Sequence, residues 1–363
     1  MTLIERLLDL AVAVQQIPSP TLLEGRRAGL VLSRFLAEGL QDVELDPVGN
    51  VFARLPGAGR GRPLVVSAHL DTVFPSGTDL SVQRDAERVY GPGIGDNSLG
   101  VAGLSGLVWA LGERGIQLPG DVWLAANVGE EGLGNLRGMK AVVERFGDAP
   151  LLYLVLEGMA LGQIYHRALA VRRYRITVRT PGGHSWIDYG QPSAVHELAA
   201  LATRITALKV PAEPRTTLNV GTISGGTSVN TIAAGASLEL DLRSEEQETL
   251  EHVSRLVEQV SHEAVREGVD LDAEVIGERP AGAIPADHPL VRLAQDCLIG
   301  VGQEPQLSIG STDANLPLSR GLPALTVGLT TGAGAHTLHE YINIQPLEKG
   351  LEQVVALVSR LWD

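Results

Sequence analysis

Residues 63–71 read PLVVSAHLD, a short apolar run that stops at His69 and Asp71. A short apolar run with two β-branched valines favours a strand. The arrangement recurs downstream. DVWLAANVG, from Asp121, leads to Glu130 and Glu131, and LLYLVL, from Leu151, leads to Glu157. Core strands are therefore read at Pro63–Ala68, Asp121–Val128 and Leu151–Leu156. Helix-like segments stand among them at Glu24–Glu38, Ser98–Arg114 and Met139–Phe146. Alternation of this kind predicts an α/β domain, a mainly parallel sheet with helices on both faces. The C-terminal part resumes it, with strands at Leu307–Ile309 and Ala324–Leu329 and a helix over Pro346–Trp362.

The middle of the chain has a different rhythm. VRRYRITVRT, residues 171–180, alternates with period two, as a half-exposed strand does. A helix near Ser193–Leu208 follows, then strands at Thr216–Ser224 and Ser237–Arg243 joined through Gly225 and Gly226. A charged helix over Glu245–Glu267 and a strand at Leu271–Ile276 complete the segment. The order β-α-β-β-α-β is that of an α+β ferredoxin-like unit. The expectation is thus an inserted domain at 169–278 within a catalytic domain made of 1–168 and 279–363.

Composition narrows the function classes. At 363 residues the chain is long enough for two domains. A net charge of −14 argues against nucleic acid as a partner. No apolar run approaches the roughly 20 residues of a membrane span. The opening MTLIERLLDLAVAVQQIPSP lacks a basic n-region, and Glu5 and Asp9 interrupt its apolar stretch. Leu3, Leu7, Leu10, Ala11 and Val14 recur at helical spacing, so it reads as an amphipathic helix ending by Pro18, and the expected location is the cytoplasm. Cys297 is the single cysteine and lies in an apolar helical context, which fits a buried structural thiol.

In a parallel α/β sheet, functional groups gather past the carboxyl ends of strands. Here His69, Asp71, Glu130, Glu131 and Glu157 stand there, joined by Asp313 after LSIGST and His336 after ALTVGLTTGAGA. Asp96 lies in GPGIGDNSLG, a glycine-rich loop before a helix. Each residue has an ordinary explanation alone. Asp96 would be a helix N-cap, the Glu-Glu pair a solvated turn, and His336 a loop histidine. Together they make six carboxylates and two histidines at one sheet edge. Like charges so close repel unless cations neutralise them, and two divalent metals would do so.

The ordered set His69-Leu70-Asp71, Asp96, Glu130-Glu131, Glu157 and His336-Thr337-Leu338-His339-Glu340 resembles the M20 metallopeptidases and deacylases over nearly the whole length. The resemblance implies that Asp96 bridges two metals, with His69 and Glu157 completing one site and Glu131 and His336 the other. It implies that Asp71 accepts a hydrogen bond from the His69 ring and fixes its tautomer. Glu130 would be the general base, taking the proton of a metal-activated water and passing it to the leaving amine. His339 is a lesser candidate than His336, because the family's ligand stands four residues before the glutamate. A mixed histidine and carboxylate set suits zinc, and cobalt or manganese fits the same ligands.

Further residues match family patterns in the inserted segment. His184, in Pro181-Gly182-Gly183-His184-Ser185, resembles the histidine that reaches the partner subunit's site in dimeric members and helps hold the oxyanion. The inserted domain would then be a dimerisation and lid domain. Asn230 and Arg243, in GGTSVNTIAAGASLELDLR, resemble residues that bind the substrate's carbonyl and carboxylate. Pairing of Arg243 with Glu239 or Asp241 is the plainer reading, and Trp186 would either line the pocket or simply pack. Two departures stand out. Ser98 occupies a position where many members have lysine, and Glu157 fills a ligand position where aminopeptidases carry aspartate. The glutamate leans toward carboxypeptidase, deacetylase and aminoacylase activity on N-acyl amino acids or short peptides. A tripeptidase-like aminopeptidase is the alternative. A catalytically silent binding protein would be expected to lack Glu130 or a ligand, and all are present.

Overall fold

Leu64–His69 is buried at every position because it lies inside a nine-stranded sheet. A computed structural model of the chain describes residues 1–362. Val122–Asn127 and Tyr153–Glu157 flank Leu64–His69, both parallel to it, and Ala324–Gly328 runs parallel to Tyr153–Glu157. Strands in such a sheet are covered on both faces, so they read as continuous apolar runs rather than alternating ones. Their carboxyl ends share one edge. Across it His69 pairs with Asn127, and Glu157 with Gly328.

The flanks of the sheet are mixed. Val51–Leu55 pairs antiparallel with Val122–Asn127, and Gln41–Leu45 continues that edge. On the other side Gln163–Ala168 pairs antiparallel with Ala324–Gly328 and parallel with Gln306–Gly310. Leu99–Glu113 is buried along most of its length and packs between the sheet and Leu3–Gln15. An apolar helix of that kind belongs inside a core. Thr2 and Glu5 form a capping box that starts the first helix. Among the described residues no helix is long and apolar enough to cross a membrane.

These elements make one compact unit, residues 1–168 with the chain from Gly282 onward; Leu169–Ala281 makes a second. In the second unit the antiparallel sheet order is Thr216–Gly225, Gly235–Ser244, Ala170–Arg179, Asp270–Arg279. Tyr174, Ile176 and Val178 face a core shared with Leu198 and Leu201 of helix Ala194–Thr206 and with Leu250 and Val253 of helix Gln247–His262. The alternate residues Arg173 and Arg175 pair with Asp241 and Glu239. The charged helix expected over Glu245–Glu267 ends at His262, where the chain turns into a bridge between Arg266 and Val269.

Candidate metal centre and active site

Asp96 reaches the sheet edge on a loop that glycine makes possible. Gly93 has φ +74°, and a Cβ on Gly95 would lie 2.4 Å from Met159 Cγ. One carboxylate oxygen of Asp96, Oδ1, lies 3.2 Å from His69 Nε2, and the other, Oδ2, lies 3.1 Å from His336 Nε2. Glu157 Oε2 is 3.8 Å from the same His69 nitrogen. Glu131 Oε1 is 3.2 Å from the same His336 nitrogen. His69, Asp96 and Glu131 each offer a ligand atom within 4.8 Å of the others. His336 has φ 64°, a left-handed conformation rarely taken by a residue with a side chain. Backbone strain of that kind concentrates at functional sites. His336, not His339, is the histidine of this loop that meets Asp96 and Glu131.

The electrostatics describe a site arranged for cations. Burial pushes the Glu157 carboxyl up to about 7. Burial works against charge on Asp96 too, but the His336 and His69 imidazoles outweigh it and hold its carboxyl below the usual range. Hydrogen bonds to Asp96 and Glu131 raise His336 to about 10. Burial would depress His69, yet the carboxylates of Asp71, Asp96 and Glu157 hold it well above its ordinary value. The donor set fits two divalent ions. Asp96 presents one oxygen to each half, and each half adds one imidazole and one further carboxylate.

Residues around this set hold it in place. Asp71 is fully buried, and its two oxygens accept the backbone N–H groups of Glu130 at 3.0 Å and Glu131 at 2.9 Å. Thr21 donates its hydroxyl to the same carboxylate at 2.9 Å. The atom within hydrogen-bonding distance of His69 Nδ1 is the Asp71 backbone carbonyl oxygen, 3.0 Å away; the carboxylate lies at 3.6 Å. Asn97 donates to the Leu156 carbonyl and accepts from the Gly158 N–H, tying the Asp96 loop to the Glu157 strand end. Arg27, almost fully buried, donates to the carbonyls of Ile17 and Leu70, the latter between His69 and Asp71. Asp313 is buried beneath the edge, where it accepts from Asn127 Nδ2 at 2.7 Å.

The second unit brings His184 and Asn230 together. Gly183–His184 pairs with Thr231–Ile232, and Ser185 N–H donates to the Asn230 carbonyl. His184 Nδ1 accepts the backbone N–H groups of Trp186 at 3.2 Å and Ile187 at 3.4 Å. In the neutral ring the proton therefore sits on Nε2, a hydrogen-bond donor. Trp186 is exposed. Arg243 Nε donates to Asp241 Oδ2 at 2.7 Å, along its own strand, while Arg173 binds the other oxygen of Asp241.

The sequence profile of "Peptidase family M20/M25/M40" matches residues 65–360, a span that contains all five proposed ligands. The chain belongs to the M20 peptidase family. It is 25% identical to the protein YqjE of Bacillus subtilis, covering 98% of each chain. It is 27% identical to the acetylornithine deacetylase of Myxococcus xanthus over 91% of this chain and 89% of that one. The aminopeptidase PepT of Bacillus cereus has the same fold, with a TM-score of 0.80, 23% identity and 99% of each chain covered.

As an M20 peptidase the chain is a hydrolase, and the family is metal-dependent. The sequence motifs locate the groups that meet at the sheet edge. They give no sign of Asn97 or Arg27, whose partners are backbone carbonyls and N–H groups. Ser98, at the family's frequent lysine position, donates its hydroxyl to the Gly93 carbonyl at 2.6 Å and closes the loop on itself.

Proposed function

We propose that this M20 hydrolase cleaves an amide bond in a small substrate, an N-acyl amino acid or short peptide, using two divalent ions. Asp96 would bridge them, with His69 and Glu157 on one ion and Glu131 and His336 on the other. The observation that carries this reading is the opposed pair of Asp96 oxygens, each within 3.2 Å of a different imidazole. When bound, the ions would acidify a water and polarise the scissile carbonyl. Zinc suits the donor set, as do cobalt and manganese.

Glu130 is the proposed general base. Its backbone N–H is fixed by Asp71, the same carboxylate that fixes Glu131. The proton it takes would go to the leaving nitrogen, which departs as a neutral amine. His184, with its Nε2–H free to donate, would hold the developing oxyanion. Asn230 and Arg243 would bind the substrate carbonyl and carboxylate. We propose further that the second unit mediates a homodimer.

Support for the substrate class comes from Glu157 at the variable ligand position and from the 27% likeness to a deacetylase. The test is a turnover screen of the zinc-, cobalt- and manganese-loaded protein. Hydrolysis of N-acyl amino acids or carboxy-terminal residues is expected. Turnover confined to removal of free amino-terminal residues from tripeptides would replace this reading with an aminopeptidase.

A further inference from the structure

We infer that Glu340 is a positioning residue for Asp96, tying the loop that carries Asp96 to the loop that carries His336. This rests on the two-metal reading. The Glu340 side chain is fully buried. Its Oε1 accepts the N–H groups of Gly95 at 2.7 Å and Asp96 at 2.8 Å, and its Oε2 accepts that of Gly93 at 2.8 Å. Its backbone carbonyl accepts the Gly91 N–H at 2.9 Å. One residue thus holds the loop at four points from Gly91 to Asp96.

The loop needs such a holder. Gly91, Gly93 and Gly95 bring no side chains that could anchor it, and glycine loses more backbone entropy on ordering than any other residue. Its buried N–H groups require acceptors. A carboxylate is acceptor-only and has two oxygens, which matches three converging donors. Glutamine has the same shape but one acceptor oxygen, so its amide N–H would face a loop N–H. Glu340 is itself held from the other side. Four residues before it stands His336, and immediately after it Tyr341–Asn343 pairs with Arg88–Tyr90, the strand that leads into the glycine loop. A displacement of the Glu340 carboxylate therefore moves Asp96 relative to both imidazoles.

The experiment is a titration of metal-stripped E340Q, E340D and the unaltered chain with Co²⁺, read by visible absorption and by calorimetry. Folding is checked separately by thermal melting without metal. If the unaltered chain binds no Co²⁺ at this site, the two-metal reading fails first. Given binding to the unaltered chain, folded E340Q should bind both ions about 10–100-fold more weakly, the usual effect of removing a group that orients a ligand. E340D, which keeps the carboxylate, should fall between. A purely structural role predicts a lower melting temperature with unchanged cobalt affinity, and that result overturns the proposal. If E340Q does not fold, E340D is read by the same criterion. If neither folds, amide exchange in the unaltered chain decides. Slow exchange at Gly93, Gly95 and Asp96 supports the clamp, and fast exchange at these amides within a folded molecule removes it.

Discussion

Glu130 and Glu131 are adjacent, yet the proposed site gives them different tasks, and substitution separates them. Glu130→Gln keeps the shape and removes the base. We expect kcat to fall about 10²–10⁴-fold, the usual contribution of a positioned acid–base group, with two ions still bound. Near-normal kcat in the metal-loaded variant would end the assignment. Asp96→Ala should instead weaken both ions, and anomalous scattering from a loaded crystal with both sites still filled would count against the bridge. The histidines bring a pH dependence whose sign follows from their shifts. His336 is raised to about 10 and His69 well above its ordinary value. Without metal, each raised pKa stabilises the fold fully below the unfolded imidazole range near 6.5. For His336 that contribution is lost as pH climbs through about 10. A metal ligand must be the neutral ring, so the ion competes with these protons. Affinity should rise with pH through neutrality toward about 10, with protons released on binding. Calorimetry at pH 7 in buffers of different ionisation enthalpy measures that release, and a value of zero would contradict the paired imidazoles.

Contacts between elements fix these residues, and Asp71 shows how. It follows the strand Leu64–His69, while its carboxylate holds the backbone of the turn after Val122–Asn127. Asp71→Asn leaves one acceptor oxygen for two N–H groups. It should therefore lower metal affinity through Glu131 and kcat through Glu130 together, each by about 10–100-fold. A fall in kcat alone, with metal affinity unchanged, would mean that Asp71 does not position Glu131. The elements themselves were unequally legible in the sequence. Leu64–His69 and Tyr153–Glu157 could be read because strands inside a covered parallel sheet are apolar at nearly every position. Gln41–Leu45 could not, because it lies at the sheet edge with its residues largely exposed and carries Asp42 and Glu44. The histidines and carboxylates that meet at the sheet edge could be read because metal chemistry restricts candidate ligands to a few side chains. Asn97 and Glu340 act on backbone groups, and many kinds of buried polar side chain do that somewhere in a fold. The spacing from His336 brings Glu340 into the motif but does not show which backbone groups its carboxylate meets. Only the fold shows that Glu340 meets Gly93, 247 positions earlier in the chain.

At the scale of the whole molecule, the number of chains that make one active site turns on the second unit. The second unit has its own core and an antiparallel sheet with two outer strands, one of which, Thr216–Gly225, pairs only with Gly235–Ser244. Its residues are largely exposed, Ile223 among them. An open edge of ten residues invites pairing with another chain, and a two-fold contact between copies would cover it. The same unit carries His184, whose Nδ1 is occupied by backbone N–H groups and whose Nε2–H is left to donate. A histidine so prepared has a use beside a developing oxyanion, and the ligands of the proposed metals all lie in the other unit. We therefore expect a homodimer in which His184 serves the metal site of the partner. Mixing tests it. Chains carrying Glu130→Gln and chains carrying His184→Ala are each expected to be nearly inactive. Exchanged into heterodimers, they should regain activity, because one of the two sites then has both an intact Glu130 and an intact partner His184. Unrecovered activity in verified heterodimers would show that His184 works within its own chain or not at all. A monomer at the concentrations used for turnover, by sedimentation or light scattering, would dispose of the dimer and assign the unit a role within a single chain.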